Sequence, residues 1–310
     1  MEKAPSTDLR KKARIKAQVR PWLYSGLSLL LMFLIVVFPI LYSLYISFTN
    51  MSLYHFYDYD FIGLTNYSNA LFTLNSGFLR ALGITVLWTL VNMVLQFIIA
   101  YIIAILLNSP NLKARNFYKT ILMIPWAIPG YVSILVWKTG IYNNQFGMLN
   151  KMITSMGGKM QDWLGSDVSA FICCTVVNLW LALPYMIMII DGALKSIDKT
   201  YYESAKVDGC SRLRKNLFIT IPLIKPIIGP AVIITIFTTF KQFDIVYLMT
   251  MQPVNTGANI NTVITYAYEN AFITSNYGFS GAVSIIIFIL LYIFTIMTNQ
   301  NFSRRSRQND

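Results

Sequence analysis

Long apolar runs separated by short polar segments dominate the pattern along this chain. Six runs stand out, at residues 22–48, 81–107, 120–137, 168–190, 226–252 and 279–298. Each has at least 18 residues, which is enough for a helix to cross a hydrocarbon core of roughly 30 Å. None shows the ten-residue alternation that is typical of a transmembrane barrel. The pattern therefore predicts an all-α, polytopic membrane protein with six transmembrane helices.

The charged residues are few and unevenly distributed. The chain is 55% hydrophobic and 12% charged, which excludes an ordinary soluble or disordered protein. Twenty of the 25 basic residues fall in segments 1–21, 108–119, 191–225 and 301–310. By the positive-inside rule, these segments and both termini are cytoplasmic. The net charge of +12 then reflects topology and not a nucleic-acid partner.

The sequence lacks the motifs of a catalytic or metal-binding subunit. The segment Gly157–Met160 lacks the glycine spacing and the hydroxyl residue of a phosphate-binding loop. His55 has no companion ligands, and Cys173, Cys174 and Cys210 suggest neither zinc nor a disulfide. We therefore expect no cofactor, no metal and no enzymatic activity in this chain.

The longest cytoplasmic loop, 191–225, has apolar residues at helical spacing, which predicts short helices outside the bilayer. A first helix ends near Gly209, which permits a turn, and a second amphipathic helix ends at Pro222. Such an arrangement would form a compact docking element.

This loop resembles the "EAA" loop of importer permeases in the ATP-binding cassette superfamily. Glu203-Ser204-Ala205 is followed after three residues by Gly209 and, after nine more, by Ile219-x-Ile221-Pro222. Ser204 replaces the usual alanine. The resemblance implies the type I importer permease (MetI-like) fold and a coupling helix that inserts into a separate ATPase subunit, where ATP is hydrolysed. The implied coupling residues are Tyr202, Glu203, Ser204, Ala205, Asp208, Gly209, Ile219 and Pro222.

A second resemblance covers the membrane core from the second span onward, and the permease core is taken as residues 81–300. Residues 178–185 are similar to the Asn-x-Trp-Leu-x-x-Pro-Tyr stretch of maltose and maltodextrin (MalF-like) permeases, and segments 124–130 and 238–243 match less closely. The resemblance implies sugar contacts at Asn178, Leu181, Ala182, Tyr185, Thr239, Gln242, Trp126 and Gly130. Three of these differ from the residues usual in the maltose type: Gly130, Thr239 and Ala182.

The residues themselves leave two roles open for the fourth span. Asn178, Ala182 and Tyr185 are spaced to share one helix face, where an amide and an aromatic ring suit a sugar. The same side chains commonly bond neighbouring helices instead.

Lys241 and Asp244 are the charged residues inside a predicted span, where each is costly. Their i, i+3 spacing favours a neutralising pair that lines the pore, and direct sugar contact by Lys241 is the alternative. Pro125 and Pro129 in the third span break regular helix hydrogen bonding and suit either pivoting or packing.

The resemblance also implies the partners of this chain. It would work in a bacterial cell membrane with a second permease, two ATPase subunits and an extracytoplasmic sugar-binding protein. A permease of the same superfamily for another solute, such as an amino acid or glycerol phosphate, is the alternative. A channel or a membrane enzyme would need a charged filter or catalytic side chains that the sequence does not show.

Overall fold

The computed structural model describes residues 24–73, 77–251 and 258–306, and within these ranges the regular elements are helices. The basic segment 1–21, the first two residues of the predicted span 22–48, Gln252 at the end of the fifth predicted span, and residues 307–310 of the tail lie outside the described residues. The helices are α1 (Tyr24–Ile46), α2 (Thr65–Phe72), α3 (Phe78–Leu107), α4 (Arg115–Ala127), α5 (Gly130–Val136), α6 (Met148–Ser155), α7 (Asp167–Lys195), α8 (Lys199–Val207), α9 (Arg212–Lys215), α10 (Ile221–Phe240), α11 (Asp244–Val246), α12 (Val263–Tyr268) and α13 (Tyr277–Ser306).

Two compact units make up the chain. The first comprises the described parts of Met1–Phe72 and Asn270–Ile286, and the second those of Thr73–Glu269 and Ile287–Asp310. In the first unit, the buried Asn66 side chain of α2 donates hydrogen bonds to the carbonyl oxygens of Ser47 and Thr49 at 3.0 and 2.8 Å. A Cβ at Gly278 would clash with the backbone oxygen of Thr49, so this close approach of α13 to the end of α1 requires glycine.

Helices α3 and α7 form the centre of the second unit and run parallel. Residue numbers rise together along the contacts between them, which are Arg80 with Asp167, Trp88 with Phe171, Asn92 with Asn178, Gln96 with Ala182, and Asn108 with Asp191. Both helices therefore cross in the same direction. The segment between them must return to the side on which α3 began.

The returning segment contains a sharply bent helix pair. Helix α4 and the stretch Gly130–Ile141, which continues α5 by a π turn, meet at 91°. Ile128 is extended at the bend because proline at position 129 disfavours the helical conformation of the residue before it. The break expected from the two prolines is therefore found at Pro129, whereas Pro125 lies within α4, and the bent pair still accounts for one crossing.

The remaining predicted spans are found as apolar helices. Five helices are long and apolar enough to cross a membrane, and the bent pair gives the sixth span. The fifth is longer than predicted, since the helical stretch Arg212–Met251 begins within the loop assigned to the cytoplasm.

Helix α7 has sequence signals at both of its ends. The Ser166 side chain accepts a hydrogen bond from the backbone N–H of Ser169 at 3.3 Å and caps the first turn. Asp167 lies in that turn and Lys195 in the last one, so both charges complement the helix dipole.

Candidate functional site

Helix α8 carries four of the predicted coupling residues, Tyr202, Glu203, Ser204 and Ala205, and begins at a well-formed cap. The Asp198 carboxylate accepts hydrogen bonds from the hydroxyl and the backbone N–H of Thr200, at 2.6 and 2.9 Å. These bonds hold the pKa of Asp198 below its usual value. The carboxylate therefore stays charged and fixes the first turn of α8.

The other end of α8 is closed by the glycine that the sequence singled out. Gly209 has φ +68°, in the left-handed region. The backbone N–H of Cys210 donates to the Ala205 oxygen at 2.9 Å, and that of Gly209 to the Lys206 oxygen at 3.2 Å. This pair of bonds is a Schellman motif, in which a side chain at position 209 would be strained. The predicted turn at Gly209 is confirmed.

Two contacts attach α8 to the helical stretch that follows it. The hydroxyl groups of Tyr202 and Thr220 lie 3.3 Å apart in a hydrogen bond. The Lys215 ammonium group lies 5.3 Å from the centre of the Tyr202 ring, within cation–π range. Ala205, on the same side of α8, is buried. Tyr202 and Ala205 thus anchor α8, and they are structural members of the predicted coupling set.

The opposite face of α8 is open to solvent. Glu203, Ser204, Asp208 and Gly209 are exposed, and the apolar side chain of Val207 is 88% exposed. Hollows of about 510 and 560 Å³ flank the helix, one lined partly by Ser204 and Ile219 and the other by Glu203 and Gly209. The solvent-facing side of α8 thus carries predicted coupling residues together with an exposed apolar side chain.

The prediction that Pro222 stops a helix is wrong. Pro222 is exposed and lies in the first turn of α10, which continues α9 through a π turn at Asn216–Thr220. The backbone N–H of Ile221 bonds five residues back to the Asn216 oxygen. A proline is tolerated here because the π turn has already shifted the hydrogen-bond register ahead of it.

Among the predicted sugar contacts, the structure brings Trp126 and Tyr185 together. Their ring centroids are 5.9 Å apart with an interplanar angle of 41°. Trp126 is 57% exposed near the end of α4, and Tyr185 is half-buried on α7. Gly130 begins α5 on the other side of the bend and has open space where a Cβ would lie. An accessible aromatic surface therefore lies beside the break in the third span.

Three further candidates lie on α7, one to two turns before Tyr185. Asn178 is buried and its side-chain amide donates to Oδ1 of Asn92 on α3 at 2.7 Å. Ala182 is half-buried and its carbonyl oxygen accepts from Nε2 of Gln96 at 2.9 Å. Leu181 is half-buried against the apolar core. The Asn178 amide thus makes the contact between helices that the sequence left open.

The last two candidates lie at the end of α10. Thr239 is buried and Gln242 is half-buried in the break that follows the helix. Within residues 77–251, no hydrogen bond or ring contact connects either of them with the other six predicted sugar contacts.

The expected neutralising pair at the same break does not form. Lys241 caps the end of α10 and Asp244 begins α11, and both are exposed. The ion pairs of the described residues involve other groups, so the prediction of a Lys241–Asp244 pair is wrong. The physical reason is the helix break between them, which removes the i, i+3 alignment of a continuous helix.

Residues 96–308 match the family described as binding-protein-dependent transport system inner membrane component, which is more than half of the chain. The chain belongs to this family. It is a multi-pass membrane permease, as the apolar helices also require.

Two relatives that match most of the length of this permease are transport proteins. It is 32% identical over 303 residues to the galactooligosaccharides transport system permease protein GanP of Bacillus subtilis, which covers 94% of this chain and 72% of GanP. It is 31% identical over 237 residues to the trehalose/maltose transport system permease protein MalF of Thermococcus litoralis, covering 76% of this chain and 78% of MalF.

The permease also shares its fold with a solved structure. A chain of a bacterial alginate ABC transporter, crystallised with an alginate pentasaccharide-bound periplasmic protein, matches with a TM-score of 0.75 at 21% identity. The match covers 94% of this chain and 98% of the other. The predicted type I importer permease fold is confirmed.

Two polar residues of the permease were missed at the sequence level. Asn92 and Gln96 on α3 are buried and bond to α7 next to the predicted sugar contacts. Their signal is present in the sequence, since two amides four residues apart interrupt an otherwise apolar span. Polar groups at such positions commonly bond neighbouring transmembrane helices.

Proposed function

We propose that this permease is a subunit of an ATP-driven importer for oligosaccharides of the maltodextrin or galacto-oligosaccharide class. The names of the relatives GanP and MalF support a carbohydrate substrate. The structural observation that carries the proposal is the contact between Trp126 and Tyr185 beside the bend of the third span. Aromatic rings pack well against the apolar faces of pyranose rings, and the Tyr185 hydroxyl supplies a polar end.

The polar contacts of α7 extend this proposed site. Asn178 lies two turns before Tyr185 and bonds to Asn92 in the present conformation. In the proposed cycle, the two amides open when sugar arrives and hydrogen-bond its hydroxyl groups. Gly130 leaves room for the sugar on the far side of the bend.

The proposed energy source is ATP hydrolysed by two partner ATPase subunits and not by this chain. The exposed face of α8, which carries Glu203, Ser204 and Val207 and borders two hollows, supports docking of such a subunit. Closure of the ATPases would displace α8 and rock the permease between inward-open and outward-open states. The proposed assembly also contains a second permease and an extracytoplasmic sugar-binding protein, with both termini of this chain in the cytoplasm.

The test is uptake by the complete assembly in proteoliposomes, with ATP inside and labelled maltodextrin or galacto-oligosaccharide outside. We expect uptake that depends on ATP and on the binding protein. Tyr185→Ala and Trp126→Ala should each raise the apparent KM roughly 2- to 13-fold, because aromatic contacts contribute about 0.5–1.5 kcal/mol.

Phe117→Ala is the matched control. Phe117 lies on α4 like Trp126, is 62% exposed, and makes its ring contact with its neighbour Tyr118 and not with α7. Uptake of an amino acid or of glycerol phosphate in place of both sugars would refute the carbohydrate assignment. Equal effects of the Phe117 and Trp126 substitutions would refute the aromatic site.

A further inference from the structure

Asp191 is a buried carboxylate that has no role in the transport cycle proposed above. It lies in the last turns of α7, and its side chain is only 3% exposed. Ile187 and Ile190, which precede it on α7, and Leu107, next to its partner Asn108, are buried apolar side chains. A charge in such a place is costly unless it is paired and hydrogen-bonded.

The partners of Asp191 come from three membrane helices. Its carboxylate accepts hydrogen bonds from Nζ of Lys119 at 2.5 Å and from Nζ of Lys195 at 2.7 Å. The side-chain amide of Asn108 donates to it at 2.8 Å. Lys119 belongs to α4, Asn108 directly follows α3, and Lys195 ends α7. The same carboxylate therefore joins the cytoplasmic ends of α3, α4 and α7.

The two lysines differ in what they connect. Lys119 is 16% exposed and joins α4 to α7, whereas Lys195 is 49% exposed and lies on the same helix as Asp191. Loss of Lys195 removes a positive charge without separating any two helices. Loss of Lys119 removes the same charge and also breaks a connection between helices.

This cluster lies directly before the coupling helix. Residues 196–198 separate α7 from α8, and both ends of this link are fixed. The Ser196 hydroxyl donates to the Ala193 oxygen at 2.8 Å, and Asp198 caps α8 through Thr200. A link of three residues with fixed ends has little slack, so displacement of α8 acts on the end of α7.

We propose that Asp191 and Lys119 are positioning residues that hold the cytoplasmic ends of α3, α4 and α7 together as one block. This inference rests on the proposed function, because it assigns the path by which movement of α8 reaches the sugar site. When an ATPase displaces α8, the ion pair carries α4 along with α7. Trp126 near the end of α4 and Tyr185 on α7 then move together.

The experiment measures sugar imported per ATP hydrolysed by the complete importer in proteoliposomes. It compares the wild type with Asp191→Asn, Lys119→Gln, Lys195→Gln and the double variant Asp191→Asn, Lys119→Gln. We expect Asp191→Asn and Lys119→Gln to lower the ratio roughly 2- to 30-fold. Lys195→Gln should keep the wild-type ratio, and the double variant should fall no further than the single variants.

Lys119→Gln keeps the test informative if Asp191→Asn fails to assemble, since Asp191 then retains Lys195 and Asn108 as partners. A wild-type ratio in Lys119→Gln would overturn the positioning role. So would an equal loss in Lys195→Gln, because that result points to the charge and not to the connection. A wild-type importer that moves neither sugar would instead show that the proposed function itself is wrong.

A distance measurement tests the block without relying on sugar transport. Spin labels on cysteines introduced at Asn116 of α4 and Gly192 of α7, both exposed positions, report the separation of the two helices. Cys210 is first replaced by serine. We expect an unchanged distance between nucleotide-free and ATP-bound assemblies in the wild type and a changed distance in Lys119→Gln. Equal behaviour of the two proteins would overturn the proposal.

Discussion

The parallel helices α3 and α7 are joined at both ends by a carboxylate of α7, but the two ends differ in burial. At the end where both helices begin, the Asp167 carboxylate forms an ion pair with Arg80 at 2.9 Å. It also accepts a hydrogen bond from the backbone N–H of Asn259 at 2.7 Å. These two charged side chains are 48% and 57% exposed. At the other end, Asp191 has three partners and is almost completely buried.

The difference in burial implies a difference in rigidity. Exposed ion pairs contribute about 0–1 kcal/mol and are screened by salt. A buried pair adds little over an apolar replacement, yet removing one partner costs roughly 3–5 kcal/mol because the other charge is left uncompensated. Asp167 therefore joins α7 to α3 loosely, whereas Asp191, beside the coupling helix, holds α7 tightly to α4 through Lys119 and also bonds Asn108 at the end of α3.

Replacement of Asp191 should have the largest effect. Asp191→Ala leaves Lys119 in an apolar setting without its partner, and we expect a loss of about 3–5 kcal/mol in the free energy of unfolding. The measurement is the shift of the thermal unfolding midpoint of the purified assembly in detergent.

The double variant Asp191→Ala, Lys119→Met is the control for this prediction. It removes both charges, so most of the lost stability should return. If the double variant is as unstable as Asp191→Ala alone, uncompensated charge is not the cause. The contrast between the two ends of the helix pair would then need another explanation.

The amide pair Asn92 and Asn178 in the middle of the same helix pair should show an intermediate effect. Asn178→Leu leaves Oδ1 of Asn92 without its donor, and hydrogen bonds between transmembrane helices are worth about 0.6 kcal/mol on average and up to about 1.7. We expect a midpoint shift smaller than that of Asp191→Ala. Replacing both asparagines by leucine should recover stability. A further loss would show that the contact between α3 and α7 needs polar groups.

The membrane spans were predictable because their signal is local. The run 168–190 has enough apolar residues to require a helix, and the structure has one at Asp167–Lys195. The bend at Ile128 had a signal in Pro129, but the 91° angle depends on packing around the pair and not on the dipeptide. Length and apolarity therefore identify a crossing without giving its shape.

The coupling and sugar residues were predictable only in part. Gly209 was found because a left-handed turn favours glycine, a property of one residue. The sequence places Asp191 at the start of a polar loop, since nothing near it in the chain shows that Asn108 and Lys119 approach it from 83 and 72 residues away. Pro222 is not a helix stop because the π turn at Asn216–Thr220 carries α9 into α10 and leaves the proline in the first turn of α10.

Asp167→Asn should have the smallest effect of the three substitutions. The asparagine oxygen can still accept the Asn259 backbone N–H, so the variant loses mainly the charge interaction with Arg80. We expect a loss of at most about 1 kcal/mol at low salt, which shrinks toward zero near 0.5 M salt because exposed charges are screened. The measurement is the unfolding midpoint at low and high salt beside that of Asp191→Ala, whose loss should persist because the Lys119 side chain that it leaves unpaired is only 16% exposed. A loss from Asp167→Asn that equals that of Asp191→Ala, or that resists salt, would show that the two ends of the helix pair are equally tight.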